Sequence, residues 1–237
     1  MNKKDKHLNK NLDLKIKDLT IHDPVIYVHP DIPSVPFNMN VYGSSNSGKT
    51  NVLLNIVAFY KKIFKDRIVV FTASRNGSLY SLIKNHGAKI YNSLTDSEDG
   101  DVLGKLMTFQ KGLKENGDKP KNVLVIFDDW ISDSSFNKKR NIYDKLFSMG
   151  RHYNLSIICT SQQFTLLPST LRRLAWYNII FKISNNVEKK MMVGEMCNTV
   201  DMNEIEFEKV YRDCVSDPYS FIYIDTKKRG YSMRFGK

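Results

Sequence analysis

Between Phe37 and Ile183 the chain alternates short, almost wholly apolar runs with longer stretches of helical spacing. The apolar runs are Phe37–Tyr42, Arg67–Thr72, Val123–Phe127, Leu155–Thr160 and Tyr177–Ile183. They are rich in β-branched and aromatic residues and too short for core helices, so they read as strands. The stretches Lys49–Phe64, Ser78–Asn85, Val102–Lys114, Asn141–Met149 and Ser169–Ala175 instead carry apolar residues every three or four positions, which predicts helices. Strands that are apolar along their whole length are buried on both faces. The pattern therefore predicts an α/β fold, a mostly parallel central sheet covered by helices on both faces. Beyond Asn185 the rhythm changes. A helix-like stretch at Met202–Asp213 precedes Ser220–Asp225 and Tyr231–Phe235, which flank the basic turn Thr226-Lys227-Lys228-Arg229-Gly230. This predicts a terminal β-hairpin that elaborates the same domain.

Ahead of the alternating region, residues 1–20 are lysine-rich, and Pro24, Pro30, Pro33 and Pro36 punctuate a lead-in that cannot be helical. The expected organisation is a basic, flexible arm over 1–23, a core over 24–185 and a C-terminal elaboration over 186–237. Hydrophobic residues make up 41% of the 237, enough for one sizeable core. No apolar run approaches the roughly 20 residues that cross a bilayer, and the first residues are charged, unlike a secretory signal. No membrane partner and no secretion are expected. Three widely spaced cysteines, Cys159, Cys197 and Cys214, support free thiols in a reducing compartment, with no disulfide framework or zinc site. The excess of 36 Lys+Arg over 25 Asp+Glu, a net charge of +11, favours a polyanionic partner.

The decisive stretch is VYGSSNSGKT, residues 41–50. Gly43 and Gly48 can take backbone angles that a Cβ disfavours, so successive N–H groups of Gly43, Ser44, Ser45, Asn46, Ser47, Gly48, Lys49 and Thr50 can turn inward onto phosphate oxygens. The helix beginning near Lys49 adds its positive end. Lys49 would reach the β- and γ-phosphates, and the Thr50 hydroxyl would ligate Mg²⁺. A glycine-serine turn that merely contains Lys and Thr is the plainer reading. The apolar strand before the loop and the amphipathic helix after it argue against that reading.

The run VLVIFDDW at 123–130 carries Asp128 and Asp129 to the C-terminal end of a buried strand, where open α/β sheets bind ligands. Asp128 is expected to hold Mg²⁺, directly or through an intervening ligand, and Asp129 to polarise the attacking water. An acidic turn after a strand is common, but here it follows a phosphate loop by some 80 residues. A second acid suits a hydrolase that carries its own base. No guanine-selecting Asn-Lys-x-Asp run and no kinase-type catalytic loop follow the acidic strand, which favours ATP over GTP. The strand NLSIICTSQQ at 154–163 also ends in polar residues; Gln162 could bond the γ-phosphate or the water, or simply end a strand.

Together, the phosphate loop, LVIFDDW (124–130) and FSMGRHYNLSIICTSQQFTLLPSTLRRLAWYN (147–178) resemble the poxvirus-type genome-packaging ATPases of large DNA viruses, within the FtsK–HerA superfamily. Most telling is the spacing from the paired aspartates to Gly150-Arg151-His152, Asn154, Ser156-Ile157-Ile158 and Gln162. The resemblance covers roughly residues 37–183. It implies a P-loop NTPase core of the ASCE type, working as a homo-oligomeric ring of five or six subunits that threads double-stranded DNA into a preformed capsid. Gly43 to Thr50 would be its Walker A loop, Asp128 and Asp129 its Walker B acids, and Gln162 its sensor. Many members of the wider superfamily have Glu where Asp129 stands, whereas the poxvirus-type branch is similar in using two aspartates. Such a protein would act in the virion or the host-cell cytoplasm, beside capsid and vertex proteins.

Ring ATPases complete their site with an arginine from a neighbour. Arg151 is the first candidate, with Arg172 and Arg173 behind it, against the alternative of surface salt bridges. For DNA, the loop after the acidic strand carries Lys138, Lys139 and Arg140, and the terminal turn carries Lys227, Lys228 and Arg229. These would meet backbone phosphates without reading sequence, or they are plain solvated surface. A different class of function also fits a nucleotide-binding core, namely an assembly or scaffold switch at the capsid that pumps no DNA.

Overall fold

The run Val123–Asp128, strand β6, shows how the chain builds two cores from one sheet. Val123, Val125 and Phe127 face one side and Leu124 and Ile126 the other, all buried, because successive side chains of a strand point to opposite faces. β6 lies inside an eight-stranded sheet in a computed structural model that describes residues 31–72, 87–91, 95–96, 100–129 and 140–235. The other strands are β1 (Asn38–Tyr42), β2 (Ile68–Thr72), β3 (Lys89–Tyr91), β7 (Leu155–Ser161), β8 (Tyr177–Phe181), β9 (Phe221–Asp225) and β10 (Gly230–Met233). Their order across the sheet is β10-β9-β8-β1-β7-β6-β2-β3. From β8 to β3 every pairing is parallel; β9 and β10 extend the β8 edge antiparallel. The short strands β4 (Thr95–Asp96) and β5 (Gly100–Asp101) form a separate pair.

Helix α1 (Lys49–Phe64) covers one face. Its Val52, Leu53, Ile56, Val57, Tyr60 and Phe64 pack on Met39, Val41, Ile68, Leu124, Ile158 and Ile179. The opposite face lies under α2 (Val102–Glu115), α3 (Arg140–Met149), α5 (Asn186–Met196) and α6 (Glu204–Cys214). Short α4 (Ser169–Leu174) leads into β8 and contributes the buried Leu171. Each fully buried Val, Leu or Ile in these layers stabilises the fold by about 2 kcal/mol. Side chains close the helix starts. Asp101 accepts from the Gly104 N–H, Asn185 from the N–H groups of Val187 and Glu188, and Asn203 forms a capping box with Glu206. Helix α1 is the exception, since Gly48 precedes it at φ 105° with no side-chain cap.

All five apolar runs of the alternating region are therefore strands of the predicted mostly parallel sheet, and the terminal pair is a hairpin at its edge. Pattern reading missed α5, β3 and the β4–β5 pair. The first buries only Met192, Val193 and Met196, and the strands have three residues or fewer, too few for any period to register. The expected arm at 1–23 and helix at Ser78–Asn85 lie outside the described residues. The three cysteines are free and buried. No described helix is long and apolar enough to cross a membrane.

Candidate functional site

The sheet order puts β7 between β1, which feeds the glycine loop, and β6, which ends in the acids. All three strands point the same way, so residues 43–50, Asp128, Asp129 and Gln162 emerge at one edge. There the end of β7 ties both neighbours together. The Gly43 N–H donates to the Ser161 carbonyl at 3.1 Å. The Thr160 hydroxyl donates to Asp128 Oδ1 at 2.8 Å and accepts the Asp129 N–H at 2.9 Å. Gln162 Nε2 donates to Asp129 Oδ2 at 3.1 Å. The carboxylate predicted to activate water and the predicted sensor amide are thus in direct contact.

The loop itself tolerates little change. A Cβ on Gly43 would stand 2.4 Å from Ser47 Oγ and 2.9 Å from Phe181 Cβ, and Gly48 holds a φ natural only to glycine. Because no side chain caps α1, the N–H groups of its first turn face the cleft, which is how a helix start receives an anion. The Ser47 hydroxyl is buried without a hydrogen-bond partner. Lys49, buried to 7% exposure, donates from Nζ to the carbonyls of Gly43 at 2.6 Å and Ser44 at 3.1 Å. Thr50 is exposed at the mouth. Ser45 to Thr50, Asp128, Asp129 and Gln162 line a single cleft of about 770 Å³.

Burial pulls the Lys49 ammonium below its usual value, opposed by the carboxylates of Asp129 and Asp128. Burial also raises the Asp128 carboxyl; the Thr160 hydroxyl and Lys49 lower it, and the charge of Asp129 raises it further. A carboxyl raised in the folded state stabilises the fold while protonated, and that contribution is lost as pH rises through its raised value. Asp128→Asn keeps the acceptor for Thr160 and removes the charge. At pH 8 and without ligand it should melt above wild type by roughly 2–4 °C, the shift that ~1 kcal/mol gives a domain of this size. The gap should close in acid, where Asp128 is protonated. Scanning calorimetry at the two pH values checks this, and an Asp128→Asn protein that melts below wild type at pH 8 would refute it.

Among the described residues no three His, Cys, Asp or Glu side chains converge as a ready metal cage. A hydroxyl, one carboxylate and ligand phosphates are what Mg²⁺ needs, since it keeps several waters. Thr50 and Asp128 at one cleft fit that demand.

Arg151 lies elsewhere. It sits exposed in the 3-10 turn Gly150–Tyr153 that starts β7, while Gln162 follows the other end of that seven-residue strand, about 20 Å away. Its guanidinium lies 5.6 Å from the Trp176 ring centre, and Lys227 Nζ lies 3.5 Å from the same ring. Burial against that ring lowers the Lys227 ammonium, Asp225 raises it, and Arg151 lowers it. Arg229 pairs with Asp201 at 3.0 Å, and Lys228 stands 3.9 Å from Asp225. Arg172 is committed within its own chain, forked onto Glu195 at 2.8 and 2.5 Å and donating to the Leu167 carbonyl; Arg173 stays exposed. Lys138 and Lys139 lie outside the described residues, and Arg140 is the first residue of α3.

Sequence motifs missed the far wall of the cleft, which Pro218, Tyr219 and Arg234 supply. They arrive because β9 runs antiparallel to β8, returning the chain before β9 and after β10 to the end of β8 beside the loop. The one signal available beforehand was the turn-forming Asp217-Pro218 ahead of an apolar run.

A glycine loop between strand and helix, acids on a second strand and a third strand inserted between them define the P-loop NTPase class of the ASCE type. Within it, the chain belongs to the family described as Poxvirus A32 protein, which it matches over residues 27–224. It is 26% identical over 173 residues to the DNA packaging protein OPG160 of variola virus, across 70% of this chain and 62% of that relative. Identity to the uncharacterized protein 075L of Invertebrate iridescent virus 6 is 24% over 188 residues, 78% of this chain and 69% of the other. The chain spans less than two thirds of the variola relative's length. Among solved structures, the genome packaging NTPase B204 of Sulfolobus turreted icosahedral virus 2, in complex with AMP, has a TM-score of 0.60 at 13% identity, covering 85% of this chain and 98% of that one. At such low identity the likeness is one of fold.

Proposed function

We propose that the chain hydrolyses ATP with Mg²⁺ and uses the reaction to drive double-stranded viral DNA into a capsid, as a subunit of a homo-oligomeric ring. One observation carries the reading: Lys49, Thr50, Asp128, Asp129 and Gln162, which come from three separate parts of the sequence, line one cleft. The loop N–H groups and the start of α1 hold the β- and γ-phosphates, and Lys49 exchanges the carbonyls of Gly43 and Ser44 for phosphate oxygens. Thr50 and Asp128 would hold Mg²⁺, which would supply positive charge beside the phosphate oxygens. Asp129 orients a water and takes its proton. Gln162, already bonded to Asp129, registers the change at the γ-phosphate.

The family, the packaging names of its relatives and the net charge of +11 support DNA as the load and a viral assembly site, in virion or host cytoplasm, as the place. Lys138, Lys139 and Arg140, leaving the acidic strand, and Lys227, Lys228 and Arg229 on the terminal turn are the DNA contacts of this proposal, with capsid and vertex proteins as its other partners.

Steady-state hydrolysis is the test. ATP turnover should rise on adding double-stranded DNA of any sequence. If four phosphates are neutralised, apparent DNA affinity should fall about 100-fold between 50 and 200 mM salt. DNA-independent turnover by a protein that never multimerises would refute translocation. A single ATP hydrolysed per chain, or none, would point instead to an assembly switch.

A further inference from the structure

The far wall of the cleft carries a backbone irregularity. Asp217-Pro218-Tyr219-Ser220 is a tight turn in which the Ser220 N–H and hydroxyl both donate to the Asp217 carbonyl, at 3.2 and 2.6 Å. Proline at the second position and a φ of 59° at the third are the pattern of a type II turn, whose third position favours glycine or asparagine. Tyrosine stands there instead. Its side chain is 70% exposed despite its apolar ring, and Cδ1 would lie 3.5 Å from a Cβ on Gly48. Described non-glycine residues at positive φ number eight, and four of them, Asn46, Asp129, Tyr219 and Arg234, line this cleft. Disfavoured backbone concentrated at one place is a mark of function.

The loop side of the cleft offers N–H groups, Lys49 and Thr50, which suit phosphates. Tyr219 offers a flat π-face beside Gly48, in a cleft that Asn51 and Val52 of the first turn of α1 also line. A ligand with a charged chain at one end and a flat ring at the other spans the two. We infer that Tyr219 is the platform on which the nucleotide base stacks, held in place by a turn that would form more readily with glycine. This rests on the nucleotide reading above and deepens it. Stacking engages the face of a base and not its hydrogen-bonding edge, so Tyr219 adds affinity for adenine and guanine alike.

Isothermal titration of the full chain with ATP, GTP and inorganic tripolyphosphate separates base from phosphate. Tyr219→Ala should weaken ATP and GTP by a similar factor, roughly 10- to 100-fold, and leave tripolyphosphate unchanged; Tyr219→Phe should bind all three as wild type does. Tyr219→Gly should lose base affinity equally while melting no lower than wild type, since glycine suits the positive φ. Equal losses for ATP and tripolyphosphate, or no loss for ATP, would overturn the assignment. Wild type that binds neither ATP nor tripolyphosphate would overturn the nucleotide reading itself, as would a Lys49→Ala protein that binds both normally.

Discussion

Arg151→Ala is expected to bind ATP as wild type does and to hydrolyse it about 10³-fold more slowly, the low end of what a trans-acting arginine supplies. Arg151 lies at the opposite end of β7 from the phosphate loop, about 20 Å from it, so it cannot serve its own nucleotide. It is exposed, and the face of Trp176 limits its freedom. In the ring proposed above, a trans role requires that edge to face the cleft of the next copy. Titrating the variant into wild type should therefore depress turnover beyond the fraction of wild type removed. Turnover that follows simple dilution would end the assignment, and Arg173, the exposed member of the other pair, would be tested next.

Asp129→Asn is expected to cut turnover by about 10²–10⁴ while leaving ATP affinity within a few-fold of wild type. Few substitutions isolate a base so well. The φ of 47° at Asp129 is one that asparagine adopts more readily than most residues, and its carbonyl oxygen can still accept from Gln162. What disappears is the capacity to take a proton. Presteady-state quench-flow with one turnover of ATP distinguishes slow chemistry from slow product release. A chemical step within 10-fold of wild type would show that another group activates the water.

The core of this fold is legible because strands buried on both faces are apolar at most positions, a pattern that few other elements share. The near wall of the cleft is legible for a related reason. Gly43, Gly48, Lys49 and Thr50 are needed for backbone geometry and charge at fixed spacing, so the chemistry is local in sequence. Tyr219 and Arg234 escape that reading because their place depends on β9 reversing beside β8, a long-range pairing with no local motif. Helix α5 escapes because three buried side chains among eleven residues leave mostly polar positions. Arg172 shows the opposite error. By sequence it matches Arg173 as a free cation, yet Glu195, 23 residues on, claims it.

Strand β7 has its front end on the acids and the phosphate loop and its back end on the turn that holds Arg151. Seven buried residues, hydrogen-bonded on both sides, make it a stiff rod rather than a tether. In a closed ring each such rod would begin at one fuel site and end at the next, wiring the sites in series through the middle of every subunit. Firing order around the circle would then be a property of one strand, and softening its interior, for example with glycine at Ile157, would desynchronise the engine without touching any residue that meets fuel.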